Sequence, residues 1–214
     1  MPDKSNRITL TVIALIAFAA LILGIFFSQY FFKEKNPDLS RFHGTLLSKP
    51  REVNSFDLSG TDHRAFNNAR LKDQWTMMFF GFTRCGYLCP TTMAELGKFY
   101  RVLESKGIKT LPKVVMISID PERDNLEVLT NYVHAFHPDF QGARGDKEVV
   151  NAMTRELGIA YAKVALNNST DPENYDIEHT GTVLLFNPKG ELSAFFTSPQ
   201  NADNLAEDYL MLTS

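Results

Sequence analysis

Thr76–Glu95, TMMFFGFTRCGYLCPTTMAE, is the stretch that decides how this chain is read. It opens on an apolar run, Met77, Met78, Phe79 and Phe80, closed by Gly81, the pattern of a buried strand. Cys85 and Cys89 follow, the two cysteines of the chain, spaced C-x-x-x-C. Pro90 comes next, the residue best accommodated in a first helical turn, where its missing N–H would be unpaired anyway. A helical stretch is established by Thr92–Phe99. This order of strand, cysteine loop and helix start sets both thiols where unpaired helix N–H groups favour an anion. Such placement lowers a thiol pKa and yields thiolate, the species that attacks disulfides and binds metals.

Outward from this stretch, Thr45–Leu47 and Val53–Leu58 are expected as short strands, with Ser59–Asp62 a turn. The helix after the cysteines should end near Gly107. Val114–Ile119 (VVMISI) is a second apolar, β-branched run and is expected as a buried parallel strand. Asp124–Phe136 and Asp146–Leu157 place apolar residues at helical spacing. Thr182–Phe186 and Leu192–Phe196 flank Asn187-Pro188-Lys189-Gly190, a strong hairpin signal, and a helix over Ala202–Leu212 closes the chain. Alternating strands and helices argue an α/β sheet covered on both faces. With a cysteine pair between strand and helix, they point to a thioredoxin-like fold.

The 214 residues, 44% hydrophobic with formal charge −3, allow one ordinary domain and something more. The scattered cations give no basic face for nucleic acid. The additional piece is N-terminal. Residues 8–32 contain no charge and as a helix would reach roughly 37 Å, enough for a hydrocarbon core of roughly 30 Å. The run is longer than the apolar region of a cleaved signal, and it ends in aromatics instead of small residues. The sequence therefore divides into a tail (1–7), a transmembrane signal anchor (8–32), a linker (33–43) and a thioredoxin-like domain (44–214). Lys4 and Arg7 precede the span and Lys33, Lys35 and Arg41 follow it, so charge does not orient it. A short tail before a large domain is the pattern of an exported domain. The expected location is the inner (cytoplasmic) membrane, single-pass, with the domain in the periplasm in preference to a mitochondrial setting.

Three chemistries compete for the cysteines. Two structural cysteines would pack as small hydrophobes. A redox dithiol would work through a mixed disulfide, although the usual motif is one residue shorter. A metal site needs a further ligand, and the chain has five histidines. His43 and His63 lie in polar, turn-like segments expected to be solvated. His134 and His137 sit at a helix end, where a cation suits the dipole. His179 stands in a loop, 174–181, that leads into an apolar strand; in this fold that loop can lie beside the cysteines. Asp176 and Glu178 are positioned to orient its ring or only to keep the loop in water. Two thiolates and an imidazole suit Cu(I), zinc or iron. No fourth protein ligand, as structural zinc requires, is evident; Met93 and Tyr87 are the nearby fourth contacts to consider.

FGFTRCGYLCPTT (80–92), SIDPERD (118–124), FHPDFQG (136–142) and EHTGTVLLFNPKG (178–190) together resemble the Sco/SenC family, over about Leu47–Leu212. The resemblance implies a membrane-anchored, thioredoxin-fold copper metallochaperone serving assembly of the dinuclear copper centre of cytochrome c oxidase. It implies one copper, Cu(I) or Cu(II), on Cys85, Cys89 and His179, with the same cysteines able to form a redox-active disulfide. It implies as partners the copper-receiving oxidase subunit and an upstream copper donor protein. Three departures stand out. Gly86-Tyr87 replaces the Pro-Asp of many relatives, Asn125-Leu126 replaces Thr-Pro, and Glu178 replaces Asp before the histidine. A rival from another class is an anchored thiol-disulfide reductase of partner cysteines; a copper- or redox-responsive signalling module would use the same residues. His179 discriminates, because metal binding needs it and disulfide exchange does not.

Overall fold

The computed structural model describes residues 4–31, 39–165 and 174–213, in two compact units, Met1–Asp38 and Leu39–Ser214. The first contains helix α1, Lys4–Phe31, whose described apolar side chains, among them Leu10, Ile16, Phe18, Leu23 and Phe26, are exposed. The helix takes in Lys4–Arg7, expected as tail. Among the described residues no helix is long and apolar enough to cross a membrane. The expected span, 8–32, runs one residue past the described helix at its C-terminal end. Phe32, the side chains of residues 8, 9, 11 and 28–31, and linker residues 33–38 lie outside the described residues.

The second unit is a mixed α/β domain. Its strands are β1 (Thr45–Arg51), β2 (Asp57–Gly60), β3 (Ala65–Asn67), β4 (Thr76–Gly81), β5 (Lys113–Ser118), β6 (Gln141–Arg144), β7 (Tyr161–Ala165), β8 (Tyr175–His179), β9 (Val183–Phe186) and β10 (Leu192–Phe196). Its helices are α2 (Leu88–Ser105), α3 (Leu126–His134), α4 (Lys147–Leu157) and α5 (Ala202–Thr213). Eight strands form one sheet in the order β1-β10-β9-β4-β5-β6-β2-β3; β7 and β8 form a separate antiparallel ribbon. β4 pairs parallel with β5, Phe80 against Ile117, and antiparallel with β9 on its other side. Every residue of β4 is buried, because helices cover both faces of a central strand that has neighbours on both edges.

Local chemistry sets the elements. Asn125 caps α3 by accepting from the Val128 N–H at 2.9 Å, and α4 stops at Gly158, φ 72°, where the left-handed turn favours glycine. The β9–β10 turn has Asn187 Oδ1 accepting from the N–H groups of Lys189 and Glu191, with Gly190 at φ 81°. Buried Asp208 of α5 accepts the backbone N–H groups of His43 and Gly44 at 2.9 and 2.8 Å and the His43 ring at 2.9 Å. His43 is exposed, as expected, and its ring also fastens the start of the domain to the last helix.

The strand expected at Val53–Leu58 begins only at Asp57. Before it, Asn68 takes the carbonyls of Val53 and Asn54 and the Phe56 N–H, and Glu156 takes the Asn54 N–H. With those groups bonded to side chains, no ladder can form there. β3, β6, β7 and β8 were not expected.

Gly142 of β6 passes directly under α3. A Cβ there would stand 2.5 Å from Leu129 Cγ, and Leu129 is fully buried. Gly142→Ala should cost about 1–3 kcal/mol through overpacking, read as a lower urea midpoint; an unchanged midpoint would show that α3 yields freely at this crossing.

Candidate metal centre

The three residues singled out from sequence come together. Cys85 Sγ, Cys89 Sγ and a ring nitrogen of His179 all lie within 4.8 Å of one another, and among the described residues they are the histidine, cysteine or acidic group so arranged. Both cysteines are free thiols. Cys85 sits half-buried in the turn between β4 and α2; Cys89 occupies the first turn of α2 and is fully buried. The residue preceding that helix, Tyr87, offers no side-chain cap. Instead the Cys89 N–H donates to Cys85 Sγ at 3.3 Å, so a sulfur does the work of a capping oxygen. Gly81, at the end of β4, makes room for the second sulfur, since a Cβ there would stand 2.9 Å from Cys89 Sγ.

His179 ends β8, in register with Tyr161 of β7, and the Thr180 N–H bonds to the Ala160 carbonyl at 3.0 Å. Its Nε2 lies 3.2 Å from Cys89 Sγ and its Nδ1 lies 3.2 Å from the Thr180 carbonyl. A carbonyl only accepts, so Nδ1 carries the proton and Nε2 turns its lone pair toward the sulfurs. Phe79 and Phe82 flank the ring at 5.9 and 5.8 Å. Of the two roles open to Asp176 and Glu178, orienting the ring is not theirs. In a strand successive side chains alternate, and Tyr175 and Ile177 go inward with His179 while both acids stay exposed. The Thr180 carbonyl orients the ring instead.

The other anticipated contacts have surroundings of their own. Met93 is fully buried in the hydrophobic core, and Tyr87 is 77% exposed. His137 packs against Tyr100 with ring centroids 4.8 Å apart, while His63 and His134 are exposed.

The SIDPERD segment holds the two halves of the centre in place. Buried Asp124 accepts from the Thr83 hydroxyl at 2.6 Å and the Ser118 hydroxyl at 2.7 Å, tying the cysteine loop to β5. Burial pushes its carboxyl pKa up, against these hydrogen bonds. Asp120, also buried, receives the Tyr175 hydroxyl at 2.6 Å and the Arg123 guanidinium. Arg123 donates to the Tyr175 carbonyl at 2.9 Å and lies over the Tyr175 ring at 3.6 Å. β8 is thus anchored at its first residue and carries the imidazole at its last. These roles are missed by a reading of composition and spacing, which gives buried Asp120, Arg123 and Asp124 no task.

The thiols are unequal. The hydrogen bond from Cys89, reinforced by backbone N–H groups, brings the Cys85 thiol down to about 3 despite partial burial. Burial and the neighbouring Cys85 charge push the Cys89 thiol far up. The pair therefore shares one proton, with thiolate at the more exposed sulfur. Two sulfurs and an imidazole nitrogen, already converged, fit a soft to borderline ion such as copper.

The SCO1/SenC family matches residues 45–214. A putative copper-binding protein of Stutzerimonas stutzeri is 28% identical over 173 residues, 80% of this chain and 82% of that one. Apo Sco1 from Thermus thermophilus superposes with a TM-score of 0.69 at 33% identity, covering 80% of this chain and 96% of that chain. Arabidopsis thaliana ScoI with copper bound superposes at 0.66 and 26% identity, covering 75% and 97%. The chain belongs to the SCO1/SenC family.

Proposed function

We propose that this chain is a copper-binding metallochaperone that loads the dinuclear copper centre of cytochrome c oxidase. The observation that carries the reading is the convergence of two sulfurs and a pre-oriented imidazole within 4.8 Å. Copper is the cargo. Three protein donors hold it while leaving a position through which a thiolate or imidazole of the receiving subunit displaces them one at a time. Cu(I) is satisfied by few soft ligands, so the two sulfurs dominate its binding. Cu(II) draws more on the imidazole. The copper-bound relative of the same fold supports the choice of metal.

A second reading, thiol-disulfide reductase, is favoured by one observation: a half-exposed thiolate backed by a buried thiol. Cys85 thiolate would attack a partner's disulfide, expelling one partner thiolate and forming a mixed disulfide. Cys89, on losing its proton, would attack Cys85 Sγ and release the second partner thiolate, leaving the chain oxidised.

The 8–32 segment is proposed as a single-pass anchor in the cytoplasmic membrane, with the domain in the periplasm. Its support is the uncharged run, the helical backbone of α1 and the exposed apolar side chains along it, a surface that needs cover.

The metal site, its thiols and the anchor are each open to measurement. The reduced full chain, in mild detergent, should retain about one copper per chain, as a single donor group implies. His179→Ala should lose the thiolate-to-Cu(II) absorption and at least about tenfold in Cu(II) affinity while Cu(I) changes little. No retained copper, with ready reduction of a partner disulfide, would turn the reading to the reductase. In the metal-free chain, iodoacetamide should label Cys85 and spare Cys89. That rate should stay flat from about pH 5 to 8, whereas an ordinary thiol gains about tenfold per pH unit in that range; a rate climbing through pH 8 would remove the thiolate assignment. Finally, the full chain should resist carbonate extraction from membranes, and protease added to intact spheroplasts should digest the domain. A carbonate-soluble chain, or a protected domain, would refute the anchor or its orientation.

A further inference from the structure

Cys89 and His179 are 90 positions apart, and their separation is held from two sides. On one side stand Asp120 and Arg123 at the beginning of β8. On the other, the chain just beyond His179 meets the helix that carries Cys89, and one side chain joins them. Gln200, in the loop between β10 and α5, donates through Nε2 to the Gly181 carbonyl, two residues past His179, and to the Phe196 carbonyl at 3.2 Å. Its Oε1 accepts from the Thr92 hydroxyl at 3.1 Å. Thr92 is buried in α2, three residues beyond Cys89. Two carbonyls on one end of the amide fix which end is NH2, because neither can donate.

Packing closes the same junction. A Cβ on Gly181 would stand 2.8 Å from Leu88 Cδ1 and 2.9 Å from Ser198 Cβ, so the 180–181 backbone lies directly against the residue preceding Cys89. The Ala202 N–H bonds to Glu95 Oε2 at 3.1 Å, pinning the Gln200 loop to α2 from its far end. Gln200 touches neither sulfur nor imidazole. It sets the distance between them.

We propose that Gln200 is a positioning residue for the imidazole arm of the copper centre, deciding how well the site holds Cu(II) while leaving Cu(I) to the two sulfurs. This rests on the metal-binding reading above. The Thr180 carbonyl that orients the His179 ring lies in the peptide unit joined to Gly181, so releasing the Gly181 carbonyl frees the ring's hydrogen-bond partner together with the backbone that carries the ring.

The test uses the full chain in mild detergent with two variants. Gln200→Leu keeps bulk and removes both polar ends; Gln200→Glu keeps shape and sets a carboxylate oxygen against two carbonyls. Each should weaken Cu(II) by about 10–100-fold and lower the thiolate-to-Cu(II) absorption, the usual scale for losing a second-shell contact. Cu(I) affinity should hold, and neither substitution should weaken Cu(II) further in a His179→Ala background. In the metal-free chain, amide exchange at Thr180 and Gly181 should quicken while β4 and β5 stay protected. Parallel loss of Cu(I) and Cu(II), full additivity with His179→Ala, or unchanged exchange at 180–181 in both variants would overturn the assignment. Should the unmodified chain take up no copper, the metal-binding reading fails by itself, and the exchange measurement still decides whether Gln200 holds the loop.

Discussion

A buried ion pair is the constraint on which the centre depends. Asp120 is fully buried and the Arg123 side chain is only 6% exposed. Charges withdrawn from water to this degree need partners for their polar atoms, and of the guanidinium nitrogens only Nη2 lacks one among the described residues. Here the guanidinium is shared with the Tyr175 carbonyl and the Tyr175 ring, and the carboxylate with the Tyr175 hydroxyl. The further bonds that both members make thus go to one residue, at the head of the ribbon that carries His179. Asp124, on the same turn of chain, reaches the opposite way, to Thr83 and the cysteine loop. One short segment therefore sets two ligand-bearing pieces of chain against each other, and Phe82, which flanks the imidazole, also lies near the Arg123 guanidinium, at 5.9 Å.

Much of this was legible in the sequence, and the parts that were not share a physical reason. The buried strand through Phe80, the cysteine turn, the helix after Pro90 and the hairpin at Asn187–Gly190 all declare themselves by local rules: an apolar run, a fixed φ, a turn residue. β8 is hidden in the sequence because Asp176 and Glu178 look like solvated loop residues. Yet Tyr175-Asp176-Ile177-Glu178-His179 alternates as a half-buried strand should, and that alternation was the signal to follow. It also shows why the acids cannot serve the ring, being on the other face. The SIDPERD segment was recognised as a block, but its work consists of contacts to Thr83 and Tyr175, far away in the sequence, and no local rule reports those. The same holds for Gln200, whose partners lie in three different elements.

The two thiols illustrate how burial divides labour between like groups. Cys85 lies on a turn of small and exposed residues, Gly86 and Tyr87 among them, and receives an N–H from the helix it caps. Cys89 lies one turn deeper, in a berth left by the missing side chain of Gly81. A charge is sustained where solvent and hydrogen-bond donors reach it and refused where they do not. The more exposed sulfur is thereby the one that meets an arriving ion or a partner first, and the buried one completes whatever the first begins.

The 90 positions between Cys89 and His179 carry a thermodynamic consequence. In an unfolded chain the C-x-x-x-C segment is a floppy two-thiol chelate, and the imidazole is at a random distance from it. Only the folded chain offers three donors at once. Any ion that prefers three to two must therefore prefer the native state, and by mass action it raises the free energy of unfolding in proportion to the logarithm of the ratio of its two affinities. Bound copper would in this sense be a folding cofactor, and its loss would return the domain to the stability of its own core.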